Sequence, residues 1–201
     1  MKILALELSS NRGSLAWRDG AAESTSEWAN DRKNSGEFFR NLSQVQRRFG
    51  AAERIVVGLG PGSYAGTRIS ISAAIGLHMG AKAELIGLSS LCAIECDATE
   101  YAVIGDARRQ TFFLAIVQDR NLITAPSLHT EKELQTALEP LRSRMPIVAS
   151  EELAQFAGVT LQYPSARILG RLAEQTNRTF VLPPLEPMYL REPHITTPKR
   201  K

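Results

Sequence analysis

The chain has 201 residues, of which 43% are hydrophobic and 22% charged, an ordinary globular balance that excludes disorder, collagen and coiled coil. Lys and Arg number 24 against 21 acids, and the whole excess lies in the last three residues, Lys199, Arg200 and Lys201. The body is therefore neutral; the tail after Pro198 is expected to be a solvated end that could touch RNA phosphate, and no apolar run reaches the ~18 residues needed to span a bilayer.

The opening run KILALEL (2–8) is nearly continuous in apolar residues, as a strand buried on both faces requires, with Glu7 inside it. It reads as a strand rather than a signal peptide, so a cytoplasmic protein without membrane contact is expected. Turn formers Ser9, Ser10 and Asn11 follow, then an alternating strand with Leu15 and Trp17 on one face, and Asp19-Gly20 predicts a hairpin into a third strand at 21–29. Phe38, Leu42, Val45 and Phe49 recur along one stripe of a helix over 35–49, which Gly50 ends. RIVVGL (54–59) predicts another buried strand. A glycine-rich turn then leads into a helix over 67–80, followed by a strand at 84–88. Cys92 and Cys96 lie four apart in SSLCAIEC, which reads as a helix start carrying two reduced structural thiols.

The second half repeats this order. YAVIGD (101–106) ends in an acid as the first strand does at Glu7, TFFLAIVQ (111–118) continues, Asp119-Arg120-Asn121 turns, a helix covers 131–144 and PIVAS (146–150) returns. Glu7 and Asp106 are 99 residues apart, Asp19 and Asp119 are 100 apart. Three strands, a helix, a strand and a helix, twice over, predict an α/β protein of two mixed-sheet halves facing a cleft, split near 97–100, with both strand-end acids pointing into it.

The stretch Gly58-Leu-Gly-Pro-Gly-Ser-Tyr-Ala-Gly-Thr-Arg68 is the densest signal, and four glycines in nine residues mean tight turns or close backbone approach. It is not a Walker A loop, since no glycine stands five residues after Gly58, Gly60 or Gly62 and no lysine follows before Lys82. Gly60 to Ala65 fits a dinucleotide pattern, but Pro61 removes a donor and no acid occurs between Glu53 and Glu84. A nucleophile elbow fails because Pro61 and Ala65 flank Ser63 where glycines are required. The turn is expected to serve close packing of helix on strand. In the helix beyond it, Ser72, Gly76 and Gly80 recur every four residues beside Ile75, Leu77 and Met79. The earlier helix adds Phe39 to its apolar stripe. Two helices with excess apolar surface predict a subunit interface. No catalytic, metal or cofactor set is expected: the histidines at 78, 129 and 194 are scattered, and H-E-x-x-H is absent.

ILALELSS, GPGSYAGTRISISAAIGL, LIGLSSL, GDARRQTFF and PMYLREP, in that order from residue 3 to 193, resemble the TsaB (YeaZ) family, which takes part in making the threonylcarbamoyl modification of adenosine in tRNA. The resemblance implies the actin-like ATPase fold (ASKHA, two ribonuclease-H-like halves, the second reduced), with an N-terminal domain over 1–98 and a smaller one over 99–201 whose last segment packs back on the first. It further implies a non-catalytic subunit that binds a TsaD-like catalytic subunit, meets a TsaE-like ATPase and tRNA through that complex, and forms a homodimer in isolation. The family motif falls on Gly60, Pro61, Gly62, Ser63, Gly66 and Arg68. The implied contact helices place Phe38, Phe39, Leu42, Val45, Ser72, Gly76, Leu77 and Gly80 at the partner interface. Glu7 and Ala65 stand where the family usually has Asp and Thr. An ASKHA protein binding a small molecule or nucleotide, with weak ATPase activity, is the alternative.

Overall fold

The computed structural model describes residues 1–30 and 35–191. The basic tail and His194 lie outside the described residues. Two five-stranded sheets organise the chain. In the first, β1 (Lys2–Glu7), β2 (Arg12–Asp19), β3 (Ala22–Ala29), β4 (Arg54–Gly58) and β5 (Glu84–Leu88) take the order β3-β2-β1-β4-β5. In the second, β6 (Glu100–Asp106), β7 (Thr111–Gln118), β8 (Asn121–Thr130), β9 (Ile147–Ala149) and β10 (Val159–Leu161) take the order β10-β9-β6-β7-β8. Advancing each strand of the first sheet by five in number gives the second. Each has an antiparallel meander and then two parallel strands. The duplication of element order is thus present in the pairing itself.

The hairpins differ in chemistry. Asp19 pairs with Ala22, so the loop is Gly20-Ala21, one residue later than Asp19-Gly20, and Gly20 alone takes a positive φ, 57°. Between β7 and β8, Asp119 and Arg120 both lie in the left-handed region, at φ 48° and 62°. Arg120 is held there by the carbonyls of Ile94 and Cys96.

One face of the first sheet carries α1 (Gly36–Phe49) and α2 (Tyr64–Ala81) over a core of Leu4, Leu6, Leu15, Ile55 and Val57. The other face carries α4 (Ala166–Leu172), whose Leu169 and Leu172 pack on Ile3, Ala5 and Val56. The second sheet carries α3 (Glu131–Arg142), which starts in a capping box: the Thr130 side chain accepts from the Glu133 N–H while Glu133 reaches back to the Thr130 N–H. Its Leu134 and Leu138 are wholly buried.

Three expectations change. The glycine-turn helix begins at Tyr64, not 67, because the Ser63 side chain caps it by accepting from the Gly66 N–H at 3.2 Å. SSLCAIEC forms only a single 3-10 turn, Ser90–Ala93, after which the buried Ile94 goes extended and bridges to Pro164. Cys92 and Cys96 are both buried free thiols. In the second half, no helix follows β9 directly. The reduced half passes to β10, and the helix that comes next, α4, serves the first sheet instead. Among the described residues, no helix is long and apolar enough to cross a membrane.

Candidate functional site

Every glycine of the 58–66 turn except Gly60 lies against the end of β1. Leu6 pairs with Val57, so Glu7 comes to sit beside Gly58. A Cβ at Gly58 would overlap Glu7 Oε2, one at Gly62 would overlap the Ser9 carbonyl, and one at Gly66 the Leu8 carbonyl. Ser63 N–H donates to the Ser9 carbonyl at 2.6 Å, and Thr67 N–H to the Ser63 carbonyl at 3.0 Å. Gly60, at φ 85°, is fixed by both neighbouring serines: its N–H donates to Ser90 Oγ at 3.0 Å, and its carbonyl accepts from Ser89 Oγ at 3.1 Å. The Ser63, Gly66 and Thr67 N–H groups are engaged by the protein's own oxygens, and the turn is a seat for backbone on backbone.

Glu7 does not point into the cleft as expected. It is fully buried; Oε1 accepts from the Ser9 N–H at 2.6 Å, and Oε2 has no hydrogen-bond partner among the described residues. Burial pushes its carboxyl above the ordinary value of 4.5, against the opposing pull of Ser9 and the nearby Ser90 hydroxyl. Its extra methylene carries the carboxyl under the turn, towards Gly58, which has no side chain in the way.

The cleft itself, of about 410 Å³, opens between the β1–β2 turn, the Pro61–Ala65 loop and the loops after β6 and β9. Asp106 does reach it. Its Oδ1 accepts from the Arg108 N–H at 2.6 Å and its Oδ2 from the Arg108 guanidinium at 2.8 Å, while its own N–H donates to Glu151 Oε1 at 2.8 Å. Arg108, Arg109 and Gln110 follow with positive φ, at 67°, 54° and 57°. Residues 187–191 close the mouth. The Arg68 guanidinium sits 4.0 Å over the Tyr64 ring and donates to the Tyr189 hydroxyl at 2.8 Å. Of the motif residues, Gly60, Pro61, Gly62, Ser63, Gly66 and Arg68 thus gather at one lip, with the DARRQ turn and the YLR segment beside them. The YLR contribution is one that periodicity could not locate.

The eight interface candidates separate. Phe38, Leu42 and Val45 belong to the core. The excess apolar arc of α1 is covered by the sheet's own tryptophans: Trp28 meets Phe38 at 6.4 Å, and Trp17 stacks on Phe49 at 5.4 Å. Phe39 is half exposed and Leu77 partly buried. Ser72, Gly76 and Gly80 are exposed, and a Cβ added at either glycine would meet nothing within 4 Å. Beside them Met79 is 75% exposed and Ile75 38%. This outer side of α2 is apolar, shallow and uncovered. Among the described residues no cluster of His, Cys, Asp and Glu could hold a metal ion.

No curated protein sequence matches this chain. Among solved structures, an uncharacterized Pseudomonas aeruginosa protein with similarity to the peptidase YeaZ superposes with a TM-score of 0.76 at 19% identity, covering 94% of this chain and 99% of that one. YeaZ from Pseudomonas aeruginosa superposes with a TM-score of 0.69 at 18% identity, over 86% and 90%. Both establish the shared fold. Residues 40–191 match the family model described as TsaD, tRNA N6-adenosine threonylcarbamoyltransferase. With three-quarters of its length inside that match, the chain belongs to the tRNA N6-adenosine threonylcarbamoyltransferase family, and over most of its length it has the fold of YeaZ.

Proposed function

We propose that this protein is a non-catalytic subunit of the assembly that makes N6-threonylcarbamoyladenosine in tRNA, and that it binds and stabilises a TsaD-like catalytic subunit through the outer face of α2. The observation that carries this reading is the uncovered side of α2, where Ser72, Gly76 and Gly80 leave a smooth strip flanked by the exposed Ile75 and Met79. Such a strip lets the backbone of a second helix approach closely while apolar side chains leave water. Phe39, half exposed on α1, supplies a second apolar contact on the same side of the first sheet. In isolation the same strip would pair two copies. A TsaE-like ATPase and tRNA join through the complex, in the cytoplasm. The non-catalytic part of the reading is supported by Glu7, the first strand-end acid, which lies buried against Gly58 away from the cleft.

Gly76→Phe tests the reading. Because nothing lies within 4 Å of the added Cβ, the isolated chain accommodates the ring and unfolds no earlier than wild type. Co-purification with a TsaD-like subunit should fall below one-tenth of wild type. An unaffected complex would refute the assignment of α2 as the seat. The cleft's size favours one other reading, a site for a small molecule or nucleotide with weak hydrolysis; micromolar binding of Mg-ATP to the purified chain, with turnover, would favour it over the scaffold.

A further inference from the structure

The segment leading to Arg191 is held at successive points. Val181 exchanges two backbone hydrogen bonds with Gly87, at 2.8 and 2.9 Å, on the outer edge of β5. Leu185 is buried in the core beneath α1 and α2. Met188 N–H donates to the Leu59 carbonyl at 2.7 Å. Tyr189 then meets Arg68 and Tyr64, its ring centroid 5.6 Å from that of Tyr64. The next two residues change partners. Leu190 packs on the second sheet's core with Tyr101, Val103 and Phe113, and the Arg191 guanidinium donates to Thr111 Oγ1 at the start of β7. Thr111 in turn closes the Asp106–Gln110 turn, its Oγ1 donating to the Arg108 carbonyl at 2.8 Å and its carbonyl accepting from the Ala107 N–H at 2.9 Å.

From this alternation we infer that residues 188–191 are a clasp across the mouth of the cleft, fastening the first turn of α2 on one side to the DARRQ turn on the other. Consecutive side chains, one gripping the first turn of α2 and the next the second sheet, cannot both keep their partners if the two lips separate. The clasp thereby sets the width of the cleft and couples the glycine turn to the DARRQ turn, although these two stretches are some forty residues apart in sequence. This inference does not depend on the assignment of α2 as a docking seat.

Hydrogen–deuterium exchange on the full chain, read peptide by peptide, tests it. Tyr189→Ala removes the ring contact and the Arg68 bond, and should raise exchange at least tenfold at the Met188 amide and also at those of Ala107 and Thr111, across the cleft. Strand amides at 3–6 and 101–105 should stay protected. Thr111→Val, which removes the acceptor for Arg191, should produce the reciprocal rise at Met188 and Thr67, since coupling between two sites runs both ways. Tyr189→Phe keeps the ring and should lie between wild type and alanine. A response confined to residues 188–190 in Tyr189→Ala, with Thr111→Val silent at Met188, would overturn the clasp. Should Tyr189→Ala not fold, Thr111→Val alone decides by the same criterion.

Discussion

Replacing Glu7 by glutamine isolates the effect of one buried acid. In the folded chain Glu7 is wholly enclosed, one carboxyl oxygen has no hydrogen-bond partner among the described residues, and burial raises its pKa above the ordinary 4.5. The folded state therefore holds the proton more tightly than the unfolded state does. Below about pH 4.5 both states are protonated and the contribution to stability is fully present. Above it the unfolded chain ionises first, and stability falls by about 1.4 kcal/mol per pH unit until the folded group ionises too. The glutamine side chain has no such proton to lose, so the variant lacks this slope. Urea unfolding midpoints of the two proteins, measured from pH 5 to pH 8, should diverge steadily in favour of Glu7→Gln before running parallel. Curves that run parallel throughout would refute the reasoning, because they would mean that Glu7 keeps an ordinary carboxylate in the fold. A wild type that gains on the variant with rising pH would reverse its sign.

Gly62→Ala should destabilise by about 1–3 kcal/mol, the cost of overpacking, because the added methyl meets the Ser9 carbonyl; an unchanged thermal midpoint would mean that the turn is not seated on β1. Ser63→Ala removes the cap of α2 and should cost about 1 kcal/mol, a fall of roughly 2–4 °C in Tm for a chain of this size, with increased exchange confined to the first turn of the helix. Burial pushes the Cys92 thiol up to about 11. A thiol reagent at pH 8 should therefore modify this buried residue far more slowly than an exposed cysteine, and rapid labelling at Cys92 in the native protein would show the 3-10 turn to be open.

The fold is legible where local pattern and tertiary demand coincide. Apolar runs at 2–8, 54–59 and 101–106 announce central strands because a strand covered on both faces has no polar side to show. The α1 stripe announces a helix for the complementary reason. Where partners are remote, the pattern is silent. The seven residues of α4 are too few for a periodic signal, and they are placed by contacts such as Ala166 N–H to Ser14 Oγ at 2.9 Å, 152 residues away. Remote partners also decide how much of α1 stays exposed. Its apolar width is real, but Trp17 and Trp28, on different strands, reach far enough to cover most of it, leaving Phe39 outside.

Legibility of the candidate site divides along the glycines. In the sequence, Gly58, Gly62 and Gly66 mark a closely packed turn and Gly76 and Gly80 a small-residue stripe along the helix that follows. The neighbours of each separate them into two opposite kinds. At 58, 62 and 66 the missing side chain makes room for Glu7, Ser9 and Leu8 of the same chain. These positions hold the fold, and substitution there lowers stability. At 76 and 80 the missing side chain faces open space, so the fold does not use it, and at Gly76, in the interior of α2, glycine costs about 1 kcal/mol relative to alanine. Glycines that weaken a helix without serving its packing need a reason outside the chain, and close approach by another helix is one that the exposed Ile75 and Met79 reinforce. Gly76→Ala therefore discriminates between the two. In the dilute monomer it should stabilise the fold by up to about 1 kcal/mol; with the catalytic subunit present it should weaken the complex, less than Gly76→Phe does. Stabilisation of the chain and of the complex alike would remove the argument for a docking seat on α2.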